Sequence, residues 1–255
     1  LRIEMHARSA RMRFRGWAFP CGAVALTALR LAAPAAAQNV SNVSGADVKA
    51  GAQEFEYRAA FAPDHDGNPS AFAHRVSYKQ AFDDRWSAKI EALQSGGDLE
   101  FRSVSIEVQK QFLESEETGG WDSAIRIDGR IPTEDGRGRA RAAWLNGVNF
   151  DGGWQVRGNV YLGHEIGDQA RDGFTLETRE EVTRRLGNGM RFGAQMFNNF
   201  NTTARFGPFD EHKHQLGPVV KGGISRHVRF NAGVLFGLSG RAPDADFRFF
   251  LLYAF

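Results

Sequence analysis

The chain has 255 residues, with 32 Lys and Arg against 30 Asp and Glu, and a single Cys. So even a charge balance gives no basic field for nucleic-acid binding, and one cysteine excludes a disulfide framework. After Gln38 no stretch reaches the ~18 consecutive apolar residues of a membrane-spanning helix, so any passage through a membrane has to be made by strands.

The first 37 residues have the three parts of a secretory signal peptide. Arg11, Arg13 and Arg15 precede an apolar stretch from Trp17 to Leu29, and Ala35-Ala36-Ala37 supplies the small residues of a cleavage site. Met12 is the better start, which makes the residues before it an upstream extension. Cys21 follows Ala18-Phe19-Pro20, a poor match to a lipoprotein acylation box, so no lipid anchor and no thiol chemistry are expected. Removing residues 1–37 takes away six Arg and one Glu and leaves 26 basic against 29 acidic residues, a mildly acidic mature chain.

A polar, Asn/Ser-rich leader, residues 38–52, comes next, and from residue 53 the chain breaks into segments of about ten residues separated by turn signals. Twelve strands are predicted, at 53–62, 71–82, 86–94, 99–113, 121–131, 139–150, 154–166, 173–186, 190–200, 214–224, 228–238 and 246–255. Four connections repeat one pattern, an apolar residue, three turn residues and another apolar residue: Phe82 to Trp86, Phe150 to Trp154, Leu186 to Met190 and Ile224 to Val228. In the strand count all four fall on one side, while the longer loops, Pro63 to Ser70, Pro132 to Gly138, Gly167 to Asp172, Asn201 to Lys213 and Ser239 to Ala245, fall on the other. Two connections break the sorting: Ser95 to Asp98 is short and Glu114 to Gly120 is long.

Period-2 alternation assigns the two faces of each strand. In the fourth strand Val104, Ile106, Val108 and Phe112 oppose Ser103, Ser105, Glu107, Gln109 and Gln111. A charged face this regular suits a hydrated lumen better than the core of a sandwich. The inward set holds more bases than acids, and Arg126, Arg130, Arg139, Arg141 and Arg157 come from three consecutive strands and make one wall basic. Glu91, Glu107, Arg229 and Arg248 complete the expected lumen-lining set. The eighth strand fits worst, because Glu180 and Arg184 fall on the lipid face; a bulge, or contact with another molecule, is expected to repair it.

The last strand carries the most specific signal. Phe247, Phe249, Leu251, Tyr253 and Phe255 share one face, and Phe255 is the final residue. Such a strand resembles the insertion signal of Gram-negative outer-membrane β-barrels. The resemblance to that class covers residues 53–255 and implies an all-β fold, an up-and-down antiparallel transmembrane β-barrel of about 12 strands. It further implies an outer-membrane location, with residues 38–52 on the periplasmic side and lipid and lipopolysaccharide around the barrel. Periplasmic chaperones and the barrel-assembly machinery are the partners it implies during biogenesis. The expected function is a porin-like pathway for small polar or anionic solutes. Alternatives are a structural or interaction barrel with a salt-bridge-filled lumen and, behind it, a lipid-modifying enzyme.

Residues that could carry enzyme chemistry are sparse. His74 faces lipid, but its nearest serine, Ser77, faces the lumen, and Ser225 and His227 share a short turn where both serve the turn and solvent. No catalytic residue, cofactor or metal is assigned. Asp210 to His214 gathers two carboxylates and two imidazoles of the kind that bind zinc or copper, which makes His212 and His214 metal candidates, but a solvated charged loop is the expectation. Asp64 to Asn68 has the composition of a calcium loop without its downstream acid.

Overall fold

The computed structural model describes residues 40–64, 70–95, 100–133 and 136–255; the signal segment, the Asp64 to Asn68 motif beyond its first residue and most of the Ser95 to Asp98 turn lie outside them. Twelve strands run in chain order: β1 Gln53–Ala62, β2 Ala71–Ala81, β3 Trp86–Ser95, β4 Glu100–Leu113, β5 Trp121–Pro132, β6 Gly138–Asn149, β7 Trp154–Ile166, β8 Phe174–Arg185, β9 Arg191–Thr202, β10 Lys213–Gly223, β11 Val228–Gly237 and β12 Ala245–Ala254. Each strand pairs antiparallel with its neighbours in sequence, and β1 pairs with β12, so the sheet closes into an up-and-down barrel with no free edge. Every predicted strand is present, with bounds shifted by no more than two residues.

The repeated five-residue turns share one closing bond. The N–H of Phe82, Phe150, Leu186 and Ile224 donates to the carbonyl of Trp86, Trp154, Met190 and Val228 respectively, at 2.7 to 2.9 Å. These turns lie together on one rim. On the same rim the connection that is too long for its place folds into a short helix, α1 Ser115–Thr118. It ends on Gly119 (φ 74°) and Gly120 (φ 124°), and a Cβ on Gly120 would stand 2.6 Å from the Asn149 carbonyl oxygen, so only glycine fits there. The long loops, including Thr203–His212 with a 3-10 turn at Phe209–Glu211, crown the opposite rim.

The distribution of side chains is inverted relative to a soluble protein. Ile127 is 64% exposed on the outer wall, while its neighbour Asp128, facing the bore, is 3% exposed. Ile90, Ile106, Ile125, Trp144, Leu162, Phe247 and Phe249 likewise cover the outside. An apolar belt this extensive around a polar interior needs lipid rather than water around it. Trp86, Trp121 and Trp154 stand on the short-turn side of the belt, as rings at a lipid–water boundary do.

The misfit in β8 is repaired by the chain itself. The register shift between β8 and β9 lies at Thr175/Glu177 and leaves Glu180 on the outer wall. There Glu180 accepts a hydrogen bond from Asn198 Nδ2 at 3.1 Å. Arg184, near the short-turn rim, donates to the Gly152 carbonyl and lies over the Trp154 ring.

Candidate functional site in the barrel lumen

Residues 40–48, which the sequence reading places in a leader outside the barrel, run inside the bore. Val40, Val43, Ala46 and Val48 are buried, and the first three belong to separate apolar clusters built with wall residues. Val40 packs on Ala60 and Ala73, Val43 on Phe197 and Leu235, and Ala46 on Ala124, Ala143, Leu145 and Tyr161. The physical reason is that the bore carries these apolar side chains at inward positions, and small Val and Ala residues cover them without filling the barrel.

Polar groups fix the segment between the clusters. The Ser44 N–H donates to Asn159 Oδ1 (2.8 Å), its carbonyl accepts from Asn159 Nδ2 (3.1 Å), and its hydroxyl accepts from Arg126 Nη1 (3.0 Å). The Val48 N–H donates to Gln111 Oε1 at 2.6 Å, and Gln109 Nε2 donates to the Ala46 carbonyl at 3.0 Å. Arg58, Arg179 and Arg248 donate to the carbonyls of Val40, Asn42 and Ser41. Buried backbone groups without a sheet partner are thus satisfied by the wall, as a non-regular segment inside a barrel requires.

The basic residues of the wall are organised around carboxylates and one ring. Glu177 accepts from Arg139 (3.3 Å), Arg141 (3.3 Å) and Arg179 (3.0 Å), and Arg141 also pairs with Asp128 at 2.9 Å. Lys89 bridges Glu91 (3.0 Å) and Glu107 (2.8 Å), and Glu107 also pairs with Arg126 at 3.2 Å. Tyr161 is fully buried, with the guanidinium groups of Arg126, Arg141 and Arg179 at 5.5, 4.4 and 4.2 Å from its ring centre, within cation–π range. Sorting inward residues by charge alone misses this ring, although alternation with Val160 and Leu162 places it inward.

The other lumen candidates are spread along the bore. Arg157 stands 3.8 Å from Glu181, Arg229 pairs with Glu54 at 2.6 Å near the short-turn rim, and Arg130 donates to the Arg137 carbonyl near the long-loop rim. Arg248 donates to Gln195 Oε1 and lies over the rings of Phe197 and Phe250. Phe247, Phe249, Leu251, Tyr253 and Phe255 all point to the outer wall.

Two cavities flank the inserted segment. One, of about 210 Å³ and reaching toward the short-turn rim, is bordered by Asp47, Glu54, Lys79, Lys89, Arg157 and Arg229 among others. The second, of about 230 Å³ toward the long-loop rim, is bordered by Val40, Ser41, Arg75, Arg130, Arg139, Glu177, Arg179 and Lys213, where cations outnumber acids. The lumen is therefore two charged vestibules separated by a peptide partition.

The histidines stand elsewhere. Ser225 Oγ accepts from the N–H groups of His227 and Val228, and the His227 ring meets the Ala254 carbonyl, so both residues serve their turn. His74 packs between Tyr57 and Phe72. His212 and His214 are buried on the outer wall under the long-loop rim, which corrects the expectation of a solvated loop: Phe200, Phe206 and Phe209 cover them.

Several solved structures share this fold. The KdgM porin matches with a TM-score of 0.55 and 11% identity over 79% of this chain and 99% of its own, and it has also been solved in complex with disordered oligogalacturonate. The fold is that of an outer-membrane β-barrel. The NanC porin matches with a TM-score of 0.58 and 10% identity, over 79% of this chain and 98% of its own. An outer membrane channel from Pseudomonas putida F1 matches with a TM-score of 0.59 and 9% identity, over 82% and 97%. No protein-family model matches the sequence, and no curated protein matches it.

Proposed function

We propose that the chain is an outer-membrane channel for small anionic solutes whose bore is closed, in this conformation, by its own residues 40–48. The observation that carries the reading is the vestibule toward the long-loop rim, where Arg75, Arg130, Arg139, Arg179 and Lys213 border one cavity with a single carboxylate, Glu177. Cations confined in a poorly screened bore lower the barrier for an anion and raise it for a cation. A structural neighbour solved with an oligomer of sugar acids is in keeping with that preference. In this reading the short-turn rim faces the periplasm and the long loops face outward, the arrangement common to bacterial barrels.

The partition favours a second reading, a structural barrel whose lumen is filled by ion pairs and peptide. Planar-bilayer recordings separate the two. The full chain is expected to show small or intermittent currents, and deletion of residues 40–48 to give larger, steady, anion-selective ones. A deletion variant that still migrates as a folded barrel on an unheated gel yet passes no current would leave the structural reading.

A further inference from the structure

Outside the bore, a hydrogen-bonded chain crosses the outer wall from β8 to the loop before β10. With Glu180 in its carboxylate form, which only accepts, the polarity of the chain follows. Glu180 accepts from Asn198 Nδ2 at 3.1 Å, and the same nitrogen donates to Thr178 Oγ1 at 3.0 Å. The other amide atom of Asn198, Oδ1, is then an acceptor, so His214 Nδ1, at 2.7 Å from it, carries the ring proton. His212 Nε2 lies 2.7 Å from the Phe206 carbonyl oxygen, which also only accepts, so His212 is protonated at Nε2.

Both neutral rings have now placed their single proton. The two remaining nitrogens, His214 Nε2 and His212 Nδ1, face each other at 3.3 Å with a lone pair on each. Two lone pairs in that position repel unless a proton or a metal ion stands between them. Ligands about 2.05 Å from a tetrahedral zinc ion are separated by about 3.3 Å, the same spacing. The remaining features are those of a metal centre: each ring donates its distal N–H to a carbonyl oxygen, which fixes tautomer and orientation. Phe209 stacks on His214 at 4.6 Å, Phe206 meets His212 edge-on at 4.8 Å, and Phe200 meets both rings edge-on, so neither imidazole is free to rotate away.

We propose that His212 Nδ1 and His214 Nε2 bind a transition-metal ion of the zinc–copper class on the outer wall of the barrel, beneath the long-loop rim. Among the described residues no group of three or more His, Cys, Asp or Glu side chains converges there. Two positions of a four-coordinate ion are therefore left to water or an exogenous ligand, and the metal is exchangeable rather than locked in a closed structural site. Because His212 is in the loop and His214 is on β10, the ion ties the Phe206–His212 segment to the wall. The site stands whether or not the bore conducts.

The test uses the full chain folded in detergent, stripped with chelator and titrated with zinc chloride against a chromophoric zinc indicator. One equivalent is expected to bind, and His212→Gln and His214→Gln each to weaken binding by about tenfold or more, while His227→Gln, on the opposite rim, leaves it unchanged. Folding of each variant is read from its gel mobility before and after heating. Should a variant fail to fold, X-ray absorption of zinc bound to the unaltered protein decides the matter: scattering from two imidazoles supports the site. Absence of stoichiometric zinc binding, binding that persists in both folded glutamine variants, or zinc surrounded by oxygen alone overturns it.

Discussion

Arg126 Nη1 donates to Ser44 Oγ at 3.0 Å across 82 positions of sequence, and the same guanidinium pairs with Glu107 at 3.2 Å. One wall residue therefore balances a wall carboxylate and holds the partition in place. Arg58, Arg179 and Arg248 act on neighbouring carbonyls of the same segment. Arg179, one of the vestibule cations that would attract an anion, thus divides its donors between Glu177 and a peptide oxygen of the partition.

Competition between solute and partition follows from that arrangement. A carboxylate offers a guanidinium a full opposite charge and a bidentate geometry that a single peptide oxygen lacks. A small sugar acid is therefore expected to raise the open probability of the full chain in single-channel recordings, while its uncharged parent sugar at the same concentration does not. Equal effects of both, or block of the full chain by the acid alone, would separate the partition from solute binding.

The apolar half of the partition is testable by a single residue. Val43 is fully buried against Phe197 and Leu235. Val43→Asp puts a carboxylate into that apolar contact, where an unpaired charge is strongly disfavoured. The variant is expected to conduct several-fold more than the parent, approaching the 40–48 deletion, with unchanged gel mobility because no barrel pairing is touched. Parent-like currents from a folded Val43→Asp barrel would mean that the segment does not close the path.

The barrel is legible in sequence because its two strongest signals are local. Alternation sets which side chain meets lipid, and turn length sets the rim, so β4 with Ile106 outward and Glu107 inward needs no distant information. The partition is not legible by the same means. Val40, Val43 and Ala46 recur every third residue among Asn, Ser and Gly, a spacing that is neither the period of two of a strand nor the 3.6 of an α-helix. The signal that points to it lies in the wall: Phe197 and Leu235 fall on the inward side of β9 and β11, and apolar side chains in a hydrated lumen need a cover. His212 and His214 stand out in sequence as a pair, but their burial depends on Phe200, Phe206 and Phe209, whose approach is set by the loop's path and the backbone at Asn201 (φ 64°) rather than by spacing.

Glu177 links stability to selectivity. It is the shared partner of Arg139, Arg141 and Arg179, so Glu177→Gln leaves those cations short of one counter-charge in the bore. Removing one side of a buried ion pair costs about 3–5 kcal/mol, with Asp128 still able to offset part of the loss at Arg141. The urea midpoint of the variant in detergent is expected to fall, while the anion preference of the 40–48 deletion background rises when the same substitution is added. A lower midpoint without a change in reversal potential would place Glu177 outside the conducting path.

The last strand is expected to act in assembly beyond its share of apolar surface. β12 closes the barrel against β1, with Phe249 opposite Ala59 and Leu251 opposite Tyr57, and both side chains point outward. Changing both to Ser removes lipid-facing area worth about 1.5–3 kcal/mol per side chain when fully buried, but leaves backbone pairing intact. The matched control is Ile90→Ser with Ile106→Ser on β3 and β4, which face each other across a strand pair and are equally lipid-facing. If the barrel-assembly machinery reads the final strand, the β12 variant should accumulate in the periplasm with little heat-modifiable barrel in the membrane, whereas the control inserts at near-normal levels with a lowered unfolding midpoint. Equal insertion defects in the two variants would make β12 one apolar strand among twelve, and the resemblance of its pattern to an insertion signal would carry no further meaning.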